Sequence, residues 1–397
     1  MRKQFILSII SVIAFGATAT TPLFMRDAAI SPDGQKIAFT YKGDIWTVPA
    51  AGGNATRITM TDQYYEASPV WSPDSRSLAF RSNRAGSFDV YITDATGGEV
   101  RRLTFDSGAE TPEAFTPDGK SLLFSAFKTP TAFPSSRLTQ LYSVPVEGGR
   151  PMLVSATPVL YPVFSPVNKN ILYYQDIKGF EDQWRKHHTS SDTRDVWMLD
   201  LKSGKHVNLT ERGGEDRNPV ISPDGKTLYF LSERNGGSMN VYSMEPRKGA
   251  APSAVTSFES HPVRFLSGAG DGTLAFTYDG EIYTMRPGSQ PSKVDISLSA
   301  DFYQPVKRIP VSSAQGGVPS PDGKQIAFIN RGDVFVTSVE FPTTRQITKT
   351  VEGESQINWQ PDGKAIVYTS ERDGHWNIYK ATVGHDGDPD FANATII

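Results

Sequence analysis

Short apolar runs recur along the chain in groups of four, with apolar and polar positions alternating within each run. A group opens with a run such as Pro69-Val70-Trp71 or Asn218-Pro219-Val220-Ile221. It breaks at a polar turn and resumes in Ser77-Leu78-Ala79-Phe80 or Thr227-Leu228-Tyr229-Phe230. Third runs mix β-branched and aromatic residues, as in Asp44-Ile45-Trp46-Thr47-Val48 and Asp89-Val90-Tyr91-Ile92. Gly-Gly dipeptides then lead to fourth runs that end in Ile58-Thr59, Leu103-Thr104 or Leu209-Thr210. Period two in short segments bounded by turn residues predicts strands. No useful length of helical periodicity follows the N-terminal apolar run.

The turn between the first and second runs is nearly constant. Ser-Pro-Asp-Gly or a near copy stands at Ser31–Gly34, Ser72–Ser75, Thr116–Gly119, Ser165–Asn168, Ser222–Gly225, Ser320–Gly323 and Gln360–Gly363. Gly270-Asp271-Gly272 is a degenerate copy. Proline presets φ, aspartate caps backbone amides and glycine lets the chain leave, which describes a type I turn. Four strands per roughly 45 residues with turn chemistry at fixed offsets predicts β-propeller blades. The prolines at 69, 112, 162, 219 and 262 place the first strand at a sheet edge, because proline cannot donate to a ladder. Six repeats begin near residues 27, 66, 110, 159, 217 and 261. The composition changes over Asp301–Pro319, and two further repeats follow. The expected architecture is all-β: residues 20–300 a six-bladed β-propeller, 301–319 a linker, and 320–397 the first two blades of a second propeller. One eight-bladed ring is the competing arrangement. The strand-like run Ala392–Ile397, with no turn after it, gives the expectation of a truncated longer protein.

Charge and composition narrow the function. The 397 residues carry 40 Lys+Arg and 43 Asp+Glu, a net charge of −3. That balance argues against electrostatic binding of nucleic acid. With no cysteine, disulfides, thiolate nucleophiles and Cys-ligated zinc are excluded. Arg2 and Lys3, the apolar run Phe5–Phe15 and the small triplet Ala17-Thr18-Ala19 read as a signal peptide over residues 1–19. The run is too short to span a bilayer. The expected location is therefore outside the cytoplasm, periplasmic or extracellular, with no membrane span.

Candidate binding residues fall on the face opposite the uniform turns, where insertions at Lys128–Gln140 and Asp176–Arg194 occur; long loops on a rigid scaffold commonly carry binding. The second insertion holds Phe180, Trp184, Arg185, Lys186, His187 and His188, aromatic and basic groups suited to a peptide carboxylate or an acidic partner. Glu66, Glu110 and Arg217, on first strands, are candidates to line the central channel, and His261 opens another. The competing reading is a solvated loop and packed or solvated strand ends. No G-x-S-x-G elbow, phosphate loop or H-E-x-x-H occurs. Adjacent His187 and His188 lack a third metal ligand. Asp386, Asp388 and Asp390 mimic a calcium loop, but Phe391 replaces its obligatory glycine. No catalytic residue, cofactor or metal is expected.

The segments Phe24–Phe39, Ala327–Phe335 and Ser370–Tyr379, together with the order of the repeats, resemble secreted bacterial homologues of the tricorn protease. That resemblance covers the whole chain. It implies a six-bladed and then a seven-bladed propeller, followed by a PDZ module and a serine-protease core, with the propellers admitting peptides and releasing products. The chain stops within the second propeller, so no catalytic residue carries over and the chain alone is expected not to cleave peptides. Peptides or proteins are the expected partners, and the full-length protein leaves room for a homo-oligomer. The alternative is a TolB-like periplasmic scaffold that binds proteins. A sialidase or lactonase propeller fits poorly: glycine directly follows aspartate in the turns, unlike the sialidase box.

Overall fold

The computed structural model describes residues 22–61, 63–127, 138–179, 186–234, 237–298, 314–382 and 393–396. Residues 1–19, read as a signal peptide from sequence, most of the Lys128–Gln140 insertion, Phe180, Trp184, Arg185 and Asp386–Asp390 lie outside them. The chain divides into two compact units, residues 1–301 and 302–397. The described residues form antiparallel strands in four-stranded sheets, plus one 3-10 turn at Arg372–Gly374.

Unit 1 holds six sheets, each ordered first to fourth strand from one edge to the other. Their first strands are Arg26–Ile30, Glu66–Trp71, Glu110–Phe115, Leu160–Phe164, Asp216–Ile221 and Arg264–Gly268, here sheets 1 to 6. Each first strand touches the next, and that of sheet 6 touches that of sheet 1. The apolar cores lie between successive sheets. Phe80 and Trp71 pack with Ile45 between sheets 1 and 2, Phe230 with Tyr173 between 4 and 5, and Phe39 with Ala275 between 6 and 1. Aromatic and β-branched residues dominate because each sheet buries both faces against its neighbours. Tryptophan also ties seams by hydrogen bond: Trp71 Nε1 donates to the Ala29 carbonyl at 2.8 Å.

The turn repeats act as read. Ser31 Oγ donates to Asp33 Oδ1, Asp33 Oδ1 accepts from the Gln35 amide, and the Gly34 amide donates to the Ser31 carbonyl. The threonine that ends each fourth run has an equally local purpose. Thr59, Thr104 and Thr210 accept, at 2.9 Å, the amides of Ile45, Val90 and Val196 at the start of the third strand. Sheet 4 departs from the rule. Its Phe164 pairs with Leu172, whereas Trp71 pairs with Leu78, so its Ser165–Asn168 turn is one residue longer.

Sheet 1 gains a fifth strand. Ile296–Leu298 adds in parallel to its outer strand, Gly53–Arg57, at the far edge from the axis. The Asp295 carbonyl accepts the Gly53 amide at 2.8 Å. Gly52 makes this approach possible: φ is +92°, and a Cβ there would stand 2.7 Å from the Asp295 carbonyl oxygen.

Unit 2 contains two sheets, opening with Gln315–Pro319 and Glu354–Trp359. The first of these corrects the linker assignment of 301–319, because its last five residues are a blade strand. The Gly316-Gly317 pair that suggested a linker sits at a bulge in that strand. Pro262 and His261 likewise precede the first strand of sheet 6 rather than lying in it. His261 is half-exposed and stands 3.5 Å from Asp279.

Candidate functional site

Two positions on the first strands, the opening residue and the bulge two or three residues on, do different things. At the opening position of sheets 2 and 5, Glu66 and Asp216 pair across the ladder with Ser82 and Ser232. An arginine two residues further on, Arg84 or Arg234, closes an ion pair on each carboxylate. Each arginine also lies on an aromatic ring of its own sheet: Arg84 is 4.8 Å from the Tyr91 centroid and Arg234 is 5.4 Å from that of Phe230. The unit 2 sheet that opens with Glu354–Trp359 repeats the set with Glu354, Ser370 and Arg372. Glu66 is therefore not channel decoration as the sequence suggested; it is fully buried and neutralised within its own sheet. Glu110 is fully buried too, although Ala126 stands where sheets 2 and 5 have serine.

Further along these strands, a bulge interrupts the ladder in every sheet of unit 1. In five of them one non-glycine residue has positive φ: Asp27, Ser68, Tyr161, Asn218 and Phe265. For Tyr161 and Phe265 this backbone is strained by about 1–3 kcal/mol. The bulge turns amides out of the ladder, and the preceding sheet accepts them. The Ser68 amide donates to Asp27, that of Tyr161 to Glu113 at 2.8 Å, and that of Asn218 to Gln175.

These bulges build the wall of the axis. Tyr161 lies in sheet 4 and Asp27 in sheet 1, opposite members of the cyclic order, yet the phenol responds to Asp27, Glu113, Arg81 and Arg217. The first strands, which touch one another in turn around the ring, carry these groups on its inner side. Burial pushes the Tyr161 hydroxyl well above its ordinary value, Asp27 and Glu113 push the same way, and the two arginines oppose them. Burial likewise pushes Glu113 up to about 7, against hydrogen bonds from Ser125 and the Tyr161 amide and the attraction of Arg81. Tyr161 nevertheless keeps 40% of its surface exposed. The crowding is that of a narrow passage open to solvent, not of a packed core, and solvent screening keeps its energetic consequence small. A cavity of about 20 Å³, one water in size, remains between Tyr161, Gln175, Arg217, Asn218, Arg264 and Phe265.

Arg217 joins this wall to the sheet 4 insertion. Buried Glu215 accepts from Arg217 Nε at 2.7 Å, from His188 Nδ1 at 3.0 Å and from Arg194 Nη1 at 3.4 Å. Burial acts to raise Glu215, but Arg217, His188 and Arg194 outweigh it and hold the carboxyl below its usual range. Of the sequence-predicted residues, the structure thus brings His188 and Arg217 together. Lys186 and His187 point to solvent, and His188 is buried at 2% exposure. Sequence reading missed Glu215, Arg194, Glu113 and Tyr161. The signals available were the acid before Asp216-Arg217 and an acid or aromatic at the bulge position.

Ser190 Oγ lies 2.8 Å from His188 Nε2, so serine, histidine and glutamate line up as in a hydrolase relay. The chemistry differs. Two guanidiniums already occupy the carboxylate, and Ser190 Oγ accepts the Asp192 amide at 3.0 Å. This arrangement clamps the insertion onto sheet 5. Among the described residues no cluster of three or more His, Asp or Glu gathers as a metal site, and no helix is long and apolar enough to cross a membrane.

Radial four-stranded sheets with a constricted axis define the class of the protein, a β-propeller. The domain described as "Tricorn protease N-terminal beta propeller domain" matches residues 22–291, and the chain belongs to that family. The tricorn protease of Thermoplasma acidophilum is 26% identical over 336 residues, covering 80% of this chain and 29% of that protein. Tricorn protease homolog 1 of Streptomyces coelicolor is 26% identical over 354 residues, covering 84% and 32%. A crystal structure of the tricorn protease superimposes with a TM-score of 0.63 at 21% identity, covering 94% of this chain and 39% of that one. The chain spans about a third of the length of these curated relatives.

Proposed function

We propose that this chain is the non-catalytic, peptide-handling part of an exported tricorn-type peptidase, with the axis of unit 1 guiding or gating peptides that move to or from a catalytic core outside the chain. The observation that carries this reading is the axial wall. First strands that touch in turn around the ring carry Asp27, Glu113, Tyr161 and Arg217 from four different sheets on its inner side, where an acid with a raised pKa and a phenol meet arginines. Such a wall offers hydrogen bonds and both signs of charge to an extended backbone and its termini. Residues 1–19 supply the export signal in this reading.

Antibody raised against residues 22–298 tests the wider claim on fractions of the source cells. The expected band is a polypeptide several-fold larger than 43.5 kDa in the periplasmic or secreted fraction. A cytoplasmic band, or one at the size of this chain, contradicts the proposal.

A further inference from the structure

The outer edges of the sheets differ in one respect that points to a second peptide site. Short outer strands in unit 1 carry charge or small polar residues, such as Arg101–Arg102, Lys205–Asn208 and Ser292–Lys293. Charge at an edge discourages pairing with other chains. Sheet 3 instead ends in Met152–Ser155, with Met152 62% and Leu153 53% exposed. Among the described residues, no strand pairs with its outer side.

Next to this edge lies a groove of about 420 Å³ between sheets 3 and 4, lined by Leu123, Val154, Phe164, Leu201 and Lys169. That volume is within the range of ligand sites. Met152 pairs with Ser143, which in turn pairs with Leu123, so Met152 lies on the groove's side of the sheet and extends its apolar wall to the edge. The groove opens at the longer turn of sheet 4, which places Lys169 at its rim. Asp118, also at the groove, is engaged by Thr116 Oγ1 and the Lys120 amide. Lys169 has no such acid partner among the described residues.

The molecule shows how such an edge is used. At sheet 1, Ile296–Leu298 lies in parallel on the outer strand, with backbone pairing and apolar Ile296 and Leu298 buried. We propose that the edge Met152–Ser155 takes an extended peptide segment in the same manner, as a fifth strand of sheet 3. An apolar side chain of the segment enters the groove, and a carboxylate of the segment meets Lys169. This is β-strand addition: backbone pairing supplies affinity, and the groove and lysine supply selectivity.

Fluorescence polarisation tests it, using this chain and a fluorescein-labelled peptide Val-Asp-Ile-Ser-Leu, a copy of the segment that covers sheet 1. A second probe has the aspartate replaced by asparagine and an amidated C-terminus. Saturable binding of the acidic probe is expected, at least tenfold tighter than the neutral one. Leu153→Pro removes the amide on the outward side of the edge, and Leu153→Lys charges that edge; both abolish binding. Lys169→Glu removes the preference for the acidic probe. Leu153→Lys changes a surface residue and reports even if Leu153→Pro unfolds the sheet. Val351→Ala, at a fully exposed position of unit 2, leaves binding unchanged. No binding up to about 1 mM, or binding indifferent to Leu153→Lys and Lys169→Glu, overturns the proposal.

Discussion

The opening position and the bulge position of the first strands lie within a few residues of each other and follow opposite rules. Glu66 and Asp216 are answered inside their own sheets, by Arg84 and Arg234 at the same spacing each time. Asp27 and Glu113 each take a hydroxyl from their own sheet, Thr40 or Ser125, but each also accepts a bulge amide from the next sheet, and the bulge side chains differ from sheet to sheet. Repetition marks what every blade needs in order to stand. Variation at a structurally repeated position marks what the assembled ring uses.

The largest expected effects fall on the first kind. Glu66→Ala removes the carboxylate paired with Arg84, and Glu215→Ala removes the buried carboxylate shared by Arg217, Arg194 and His188. Breaking a buried pair from one side costs about 3–5 kcal/mol, so urea midpoints should fall sharply in both. A Glu66→Ala protein as stable as the parent would break the comparison. Next comes Gly52→Ala, which forces a Cβ against the Asp295 carbonyl at positive φ. A loss of about 1–3 kcal/mol is expected, and hydrogen exchange should show early opening of Ile296–Leu298.

Tyr161→Gly relieves left-handed strain and removes no core packing, so stability should change by about 1 kcal/mol or less. Peptide association with the axis should nonetheless change. A further expected effect is the pH dependence set by Glu113. Its folded value of about 7 exceeds its ordinary value of 4.5, so the folded chain holds more protons between these pH values. Stability therefore declines as pH rises through that window, and Glu113→Gln should flatten this part of a melting-temperature profile. At the bottom of the scale, a fluorophosphonate probe should leave Ser190 unlabelled; labelling abolished by His188→Ala would turn the clamp into a relay.

Much of the fold was legible because its chemistry is local. The Ser-Pro-Asp-Gly turns, the terminal threonines and the alternation of Asp89-Val90-Tyr91-Ile92 each act within a few residues, and each is repeated. The axis was not legible, because Tyr161 and Asp27 are brought together only by the cyclic order of the sheets. Glu66 and Arg217 looked alike in sequence, as charged residues on first strands, and separate only by what faces them: Arg84 within the sheet for one, Glu215 and Tyr161 for the other. The fifth strand of sheet 1 was equally hidden, since Ile296-Ser297-Leu298 carries no mark of pairing in parallel with residues 53–55.

The direct test of the axial claim places a benzophenone amino acid at position 161 and irradiates the protein with a mixture of unstructured peptides. Cross-linked peptide should accumulate at this position, be competed by excess unlabelled peptide, and diminish when Arg217 is changed to Ala. Cross-linking no greater than from the same group placed at exposed Gln35 on the turn of sheet 1 would contradict the account.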